Sequence, residues 1–191
     1  RHLPHMIVMA PKDENELQHM VHSALSYGHP VAIRFPKGKG WGVALDEEWH
    51  DVPLGQSEVL KEGKDLLLAL GSMVYPALQA AERLEKEGIS LAVVNARFVK
   101  PLDESLILNY ARAGGVIITA EEAIISGGFG SAVREFLDQK RRFDLRFKRI
   151  GLPLEIYSHG KVEKIKSKYF LDEEGLFRQI LGFYQNSSQK K

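Results

Sequence analysis

The chain predicts an α/β fold, and three observations lead there. Short apolar runs alternate with amphipathic stretches along most of its length. A stretch rich in Gly, Pro and charge, residues 36–64, interrupts that alternation. No repeat of fixed period replaces it. Such alternation favours mostly parallel sheets with helices on both faces.

The elements follow in order. MIVMAP (6–11) reads as a buried strand that stops at proline. In the next stretch Asp13 with Glu16 three residues on forms a capping box, Leu17, Met20, Val21, Ala24 and Leu25 recur at helical spacing, and Gly28 and Pro30 stop the helix. VAIRF (31–35) is the next strand, so the first unit is strand–helix–strand, which prefers a parallel pair with a right-handed crossover. Residues 36–64 read as a linker, with short edge strands at WGVAL and SEVL.

From Asp65 the alternation resumes. DLLLALG is a strand, followed by a helix with Ser72 at its N-cap and Gly88 past its end. SLAVVNARF is a strand, and a helix entered through Pro101 and Asp103 follows. VIITAEE, GGFGSAVREFLDQKR and FKRIGLP read as strand, helix and strand, and LDEEGLFRQILGFYQ as the last helix. The polar tail NSSQKK is expected to fray. RHLPHM is read as an internal stretch of a longer protein.

Composition narrows the function classes. Of 191 residues, 44% are hydrophobic and 27% charged, ordinary globular usage that supports a packed core. With 26 Lys and Arg against 25 Asp and Glu, the +1 charge gives no global reason to expect nucleic acid or an acidic membrane, so attraction for anions must be local. Having no cysteine, the chain has no disulfide, thiolate chemistry or cysteine-ligated zinc. No apolar run approaches the roughly 20 residues of a membrane helix.

The chief candidate site residue is Arg34. An arginine in an apolar strand must be paired, and ligands of open parallel sheets collect at the carboxyl ends of strands. Arg34 is near that end, and its planar fork suits phosphate or carboxylate. An ion pair with an Asp or Glu of the domain accounts for it equally simply, and spacing alone prefers that reading. Lys37 and Lys39, between Gly38 and Gly40, read as a solvated loop or as point charges for an anion. The glycines Gly127, Gly128 and Gly130 follow a strand and open a helix, but lack the pattern of a dinucleotide or P-loop site, so a tight turn with close helix–sheet packing is the better reading. Glu121 and Glu122 suit either acid–base chemistry or the capping of a turn. The histidines, His2, His5, His19, His22, His29, His50 and His159, show no metal-ligand spacing, and His19 and His22 are expected on a helix surface.

Several stretches in one order carry a resemblance: MIVMAPKDENEL, HPVAIRFPKG, GSMVYPALQAAERLEKEGI, VVNARFVKPLDE, EEAIISGGFGSAV and IGLPLEIYSHG. Together they resemble the C-terminal part of the 1-deoxy-D-xylulose-5-phosphate synthases, thiamine-diphosphate enzymes of the transketolase family. The GGFG stretch is shared with β subunits of 2-oxoacid dehydrogenases, which keeps those enzymes as an alternative. The resemblance implies the end of a pyrimidine-binding α/β domain at 1–40, a linker at 41–60, a complete transketolase C-terminal domain at 61–185 and a tail at 186–191. It implies condensation of pyruvate with glyceraldehyde 3-phosphate with loss of carbon dioxide, using thiamine diphosphate and magnesium, in a cytoplasmic homodimer without nucleic acid or membrane partners.

The same resemblance makes Arg34 the ligand of the acceptor's phosphate. Two departures stand out: Lys37 replaces the usual arginine of PRG, and His5 replaces the commoner asparagine. The activating glutamate and the cofactor's ligands are expected outside this chain, so the chain alone is expected to hold no cofactor and to be inactive. A non-catalytic, dimer-associating module is the remaining alternative.

Overall fold

The structure, a computed structural model, describes residues 1–112, 114–157 and 159–188. Strand β1 (Ile7–Met9) leads into α1 (Glu14–Ala24) and β2 (Val31–Ile33), and β1 and β2 pair in parallel. At the start of α1, Asp13 Oδ1 accepts the Glu16 N–H at 2.7 Å. The Glu16 carboxylate reaches back to the Lys12 N–H instead of that of Asp13, so the box closes one residue earlier than its usual form.

The larger sheet is built from β3 (Glu58–Lys61), β4 (Asp65–Ala69), β5 (Leu91–Asn95), β7 (Val116–Ile124) and β8 (Arg146–Leu152), in the order β3-β5-β4-β7-β8. Its central pairs are parallel and only β3 runs antiparallel. The core strands are apolar on both faces because both are covered. Helices α2 (Val74–Lys86) and α6 (Glu173–Ser188) pack one face, with Leu67, Val93 and Ile118 pointing into it. Helices α3 (Glu104–Tyr110) and α4 (Phe129–Gln139) pack the other, over Leu66, Val94 and Ile117.

Several elements differ from the sequence reading, each for a physical reason. The stretch read as one strand at 90–98 breaks at Arg97, whose φ is 59°, and β6 (Phe98–Lys100) turns away to pair antiparallel with β1. This puts β6 in the small sheet β2-β1-β6, so the two sheets are stitched together by one chain segment. WGVAL is not a strand; SEVL is, as β3. Ser72 is not an N-cap. It lies in a short 3-10 turn, Gly71–Met73, ahead of α2, and its hydroxyl is turned elsewhere. Helix α5 (Val162–Lys168) lacks any buried residue, which is why no apolar period announced it. The helix of the tail continues to Ser188, and residues 189–191 of the expected frayed end lie outside the described residues.

Residues 36–57 form a strap laid along α1 rather than a free linker. Glu14 accepts the N–H groups of Trp41, Gly42 and Val43, and Asn15 accepts that of Asp46. Ser23 Oγ accepts the Val52 N–H, and the Tyr27 hydroxyl donates to the Val52 carbonyl. His19, expected on the surface, is only 8% exposed. Its Nδ1 accepts the His50 N–H at 3.0 Å, which leaves Nε2 protonated to donate to Asp46 at 2.9 Å. The strap supplies the polar partners that make an inward histidine tolerable. His22 remains half-buried, its ring tilted against that of Trp49 and its Nε2 3.5 Å from Asp51.

Candidate functional site

The parallel topology brings the carboxyl ends of β1, β2, β4 and β7 together between the two sheets. Each end delivers a polar residue: Lys12 after β1, Arg34 after β2, Ser72 after β4, and Glu121 and Glu122 at the end of β7. This is where open α/β sheets place ligands.

Arg34 lies one residue past the end of β2, although its N–H still bonds to the Met9 carbonyl at 2.9 Å. Its guanidinium is exposed, and Nη2 donates to the backbone carbonyl of Glu122. Among the described residues it has no carboxylate within ion-pair distance and no other side-chain hydrogen bond. The internal ion pair that spacing alone preferred is therefore not formed. A guanidinium has five N–H donors, and one carbonyl anchors the fork while leaving most of them for an incoming anion.

The Glu122 carboxylate next to it is held from the other side. The Ser72 hydroxyl donates to Glu122 Oε2, and Lys166 of α5 donates to Ser72 Oγ at 3.2 Å while lying 3.7 Å from Glu122 Oε1. Arg34, Glu122, Ser72 and Lys166 thus form one cluster drawn from β2, β7, the turn after β4, and α5. Spacing missed Ser72 and Lys166. Ser72 carried a signal in its strand–Gly–Ser–helix position, whereas Lys166 sits in a helix without an apolar face and carried none.

Glu121 turns inward and is 1% exposed. Its oxygens accept the N–H groups of Phe129 and Gly130, each at 2.8 Å, at the start of α4. It acts as the cap that Gly128, the residue at the N-cap position, cannot supply. Burial pushes its carboxyl above the usual carboxylate range; the two backbone N–H groups and the charges of Arg34 and Arg149 oppose that without cancelling it. The glycines now have assigned tasks. Gly127 has φ +77°, a Cβ on Gly128 would fall 2.3 Å from Glu121 Oε2, and one on Gly130 would fall 2.4 Å from Thr119 Oγ1. Close approach of α4 to β7 requires Gly128 and Gly130, whereas a Cβ on Gly127 would meet nothing and that glycine is favoured by its left-handed φ alone.

A second cluster, deeper between the sheets, is already saturated. Arg97 Nε donates to Glu16 Oε1 at 2.7 Å, and Arg97 Nη2 lies 3.2 Å from Glu58. Lys12 pairs with Glu58 at 2.9 Å, and Asn95 donates to Glu16 at 2.8 Å. Lys37 and Lys39 lie in a loop that, together with Ser72, lines both of two neighbouring clefts. One, of about 700 Å³, is bordered by Ser72 and Lys166; the other, of about 430 Å³, by Asp13, Glu14 and Phe35. Arg34 lines neither. Among the described residues no three His, Cys, Asp or Glu side chains are grouped to hold a metal ion. The cofactor implied by resemblance needs a magnesium-held diphosphate, and these residues do not assemble that ligand set. No helix among them is long and apolar enough to cross a membrane.

Comparison with known proteins gives this geometry a context. Residues 55–176 match the family described as transketolase, C-terminal domain. The chain is 50% identical over 184 residues, 96% of its length, to 1-deoxy-D-xylulose-5-phosphate synthase 1 of Geobacter metallireducens. It is 46% identical over 95% of its length to the synthase of Halothermothrix orenii. It spans 29% of the length of each of these relatives. Among solved structures, a split-gene transketolase described as an inactive β4 tetramer superposes with a TM-score of 0.78 at 32% identity, covering 95% of this chain and 59% of that one. The transketolase of Campylobacter jejuni shares the fold, with a TM-score of 0.68 at 22% identity over 94% of this chain and 26% of its own.

Proposed function

The chain belongs to the transketolase C-terminal domain family, and we propose that it is the C-terminal part of a 1-deoxy-D-xylulose-5-phosphate synthase. The whole enzyme condenses pyruvate with glyceraldehyde 3-phosphate and releases carbon dioxide, as a cytoplasmic homodimer feeding isoprenoid, thiamine and pyridoxal synthesis. Identity of 46–50% over nearly the whole chain to proteins of that name supports the assignment. Thiamine diphosphate with magnesium, held by parts of the enzyme outside these residues, supplies the carbanion chemistry. Residues 1–40 close the pyrimidine-binding domain, 41–60 connect, and 61–185 are the C-terminal domain.

Within that reading Arg34 holds the phosphate of the acceptor aldehyde. The observation that carries it is an exposed guanidinium at a strand end, anchored by one backbone carbonyl and lacking a carboxylate partner among the described residues. A phosphate gripped there fixes the aldehyde's far end, which lowers the entropic part of the barrier to addition. The carboxylate of Glu122 stays compatible with an approaching phosphate because Lys166 and Ser72 bind it. Arg34→Ala in the intact enzyme is expected to raise KM for glyceraldehyde 3-phosphate about tenfold or more, with KM for pyruvate little changed. An unchanged KM for the aldehyde phosphate refutes the role. Assay of the intact enzyme with a lipoyl acceptor separates the synthase from a 2-oxoacid dehydrogenase.

One observation favours a second, compatible reading of the chain taken alone. The split-gene transketolase relative is described as inactive and tetrameric, and 95% of this chain superposes on it. An association module without activity of its own fits that precedent. Sedimentation of the 191-residue chain tests it: a monomer at high concentration rejects self-association.

A further inference from the structure

Two carboxylates stand close to Arg34, yet neither takes its guanidinium. Glu121 feels the charge of Arg34 but is committed to the Phe129 and Gly130 N–H groups. Glu122 is the nearer competitor, because its own backbone carbonyl accepts from Arg34 Nη2. Its carboxylate therefore hangs from the residue that the guanidinium touches. A carboxylate within reach of a guanidinium forms a bidentate pair, and that pair would use the donors a phosphate needs. We propose that Lys166 of α5 is a positioning residue for the phosphate site: with Ser72 it holds the Glu122 carboxylate off Arg34 and so keeps the guanidinium available. The proposal rests on the assignment of Arg34 to the acceptor phosphate and deepens it.

Each oxygen of Glu122 has its own partner. The Ser72 hydroxyl donates to Oε2, and Lys166 Nζ lies 3.7 Å from Oε1. A serine hydroxyl has one proton to donate. Having given it to Glu122, Ser72 can only accept from Lys166, whose Nζ is 3.2 Å away. The lysine thus grips the serine and the carboxylate together. Among the described residues it is the only cation within ion-pair distance of the Glu122 carboxylate. The trio is shielded: Ser72 is 6% exposed, and the side chains of Glu122 and Lys166 are 14% and 17% exposed. The solvent screening that makes surface ion pairs weak is reduced here.

The backbone holds both partners in place. Apolar burial does not seat α5, which has no buried residue. Its anchor comes just after it. Leu171 lies in the core, and its N–H bonds to the Lys166 carbonyl at 2.8 Å. On the other side, Gly71 has φ +60°, and a Cβ there would fall 3.2 Å from Ala10 Cβ. Glycine therefore suits the tight turn that delivers Ser72. A helix without an apolar face still carries one long side chain over the turn after β4, and the contact it makes there is the one that restrains Glu122.

The test uses the intact enzyme. Lys166→Met is expected to raise KM for glyceraldehyde 3-phosphate about tenfold, with kcat at saturating aldehyde and KM for pyruvate little changed. Ser72→Ala releases only Oε2 and should raise the same KM about threefold. Adding Glu122→Gln to Lys166→Met removes the competing charge, and should bring KM back to within about twofold of the unsubstituted enzyme. Lys166→Arg keeps the cation and should stay near the unsubstituted value. In an Arg34→Ala background Lys166→Met should add nothing, because the guanidinium to be captured is gone. A purely structural role for Lys166 predicts no rescue by Glu122→Gln, and that result overturns the proposal. So does an unchanged KM in both Lys166→Met and Ser72→Ala when Arg34→Ala raises it; the phosphate role of Arg34 then stands without Lys166. An unchanged KM in Arg34→Ala itself refutes that role, and this proposal with it.

Discussion

Two regions between the sheets hold an arginine at a strand end, and they differ in how far those arginines are satisfied. Around Arg97, two cations (Lys12 and Arg97) face two carboxylates (Glu16 and Glu58), and Asn95 fills the remaining acceptor. Around Arg34, Lys166 and Ser72 engage the neighbouring part-buried carboxylate of Glu122, and among the described residues Arg34 receives only a carbonyl. The first region is closed by its own charges. The second is anchored but open. Residue type does not distinguish a structural arginine from an available one; the partners already present do.

The largest effect should come from breaking the closed region. Glu16 is 3% exposed and joins Lys12, Asn95 and Arg97. Glu16→Ala leaves two cations partly buried with a single carboxylate between them, and is expected to cost about 3 kcal/mol in urea unfolding. A loss below about 1 kcal/mol would mean that water reaches the network and that the two regions do not differ in kind.

Gly128→Ala probes the support beneath the open region. The added methyl would sit 2.3 Å from Glu121 Oε2 and 2.5 Å from the Ile124 carbonyl, both fixed groups. About 2 kcal/mol of destabilisation is expected from this overpacking. Arg34→Ala, by contrast, is expected to change unfolding free energy by no more than about 0.5 kcal/mol, because an exposed side chain with one backbone bond is lost. A large loss would make Arg34 a structural residue like Arg97 and weaken its assignment to substrate.

The difference between these regions was only partly legible beforehand. Alternation of apolar runs and amphipathic stretches marked the parallel strands β4, β5 and β7, because buried strands and one-sided helices leave local patterns. The break at Arg97 was not legible. A residue of φ 59° and a strand that changes sheets depend on a partner far along the chain, β1. Asn95 and Glu16 were invisible as partners for the same reason. Arg34 was identified from its strand and from resemblance, yet its contact with the Glu122 carbonyl spans 88 positions and had no local sign. His19 was misjudged because a strap lacking secondary structure, not a helix or sheet, buries it.

The smallest predicted effect contrasts the regions through pH. Glu58, in the closed region, is held below the usual carboxylate range: burial opposes this, but Lys12, Arg97 and Asn95 outweigh it. Its folded pKa is depressed, so its contribution to stability is present above the unfolded value near 4.5 and is lost as pH falls through the lower folded value. Glu121, beneath the open region, has the opposite sign. Its folded pKa is raised by burial, so its contribution is fullest below about 4.5 and is lost as pH rises through the raised value. Urea midpoints of Glu58→Gln and Glu121→Gln, each compared with the unsubstituted chain across pH 3–8 or so, should therefore diverge. The advantage of Glu58 over Gln grows with rising pH, whereas that of Glu121 over Gln shrinks. Glu58 is partly exposed, and solvent screening keeps its share well under about 1 kcal/mol. The sign of the slope is accordingly the informative quantity. Parallel slopes would mean that one electrostatic environment spans both strand ends, and that the closed and open regions are a single network.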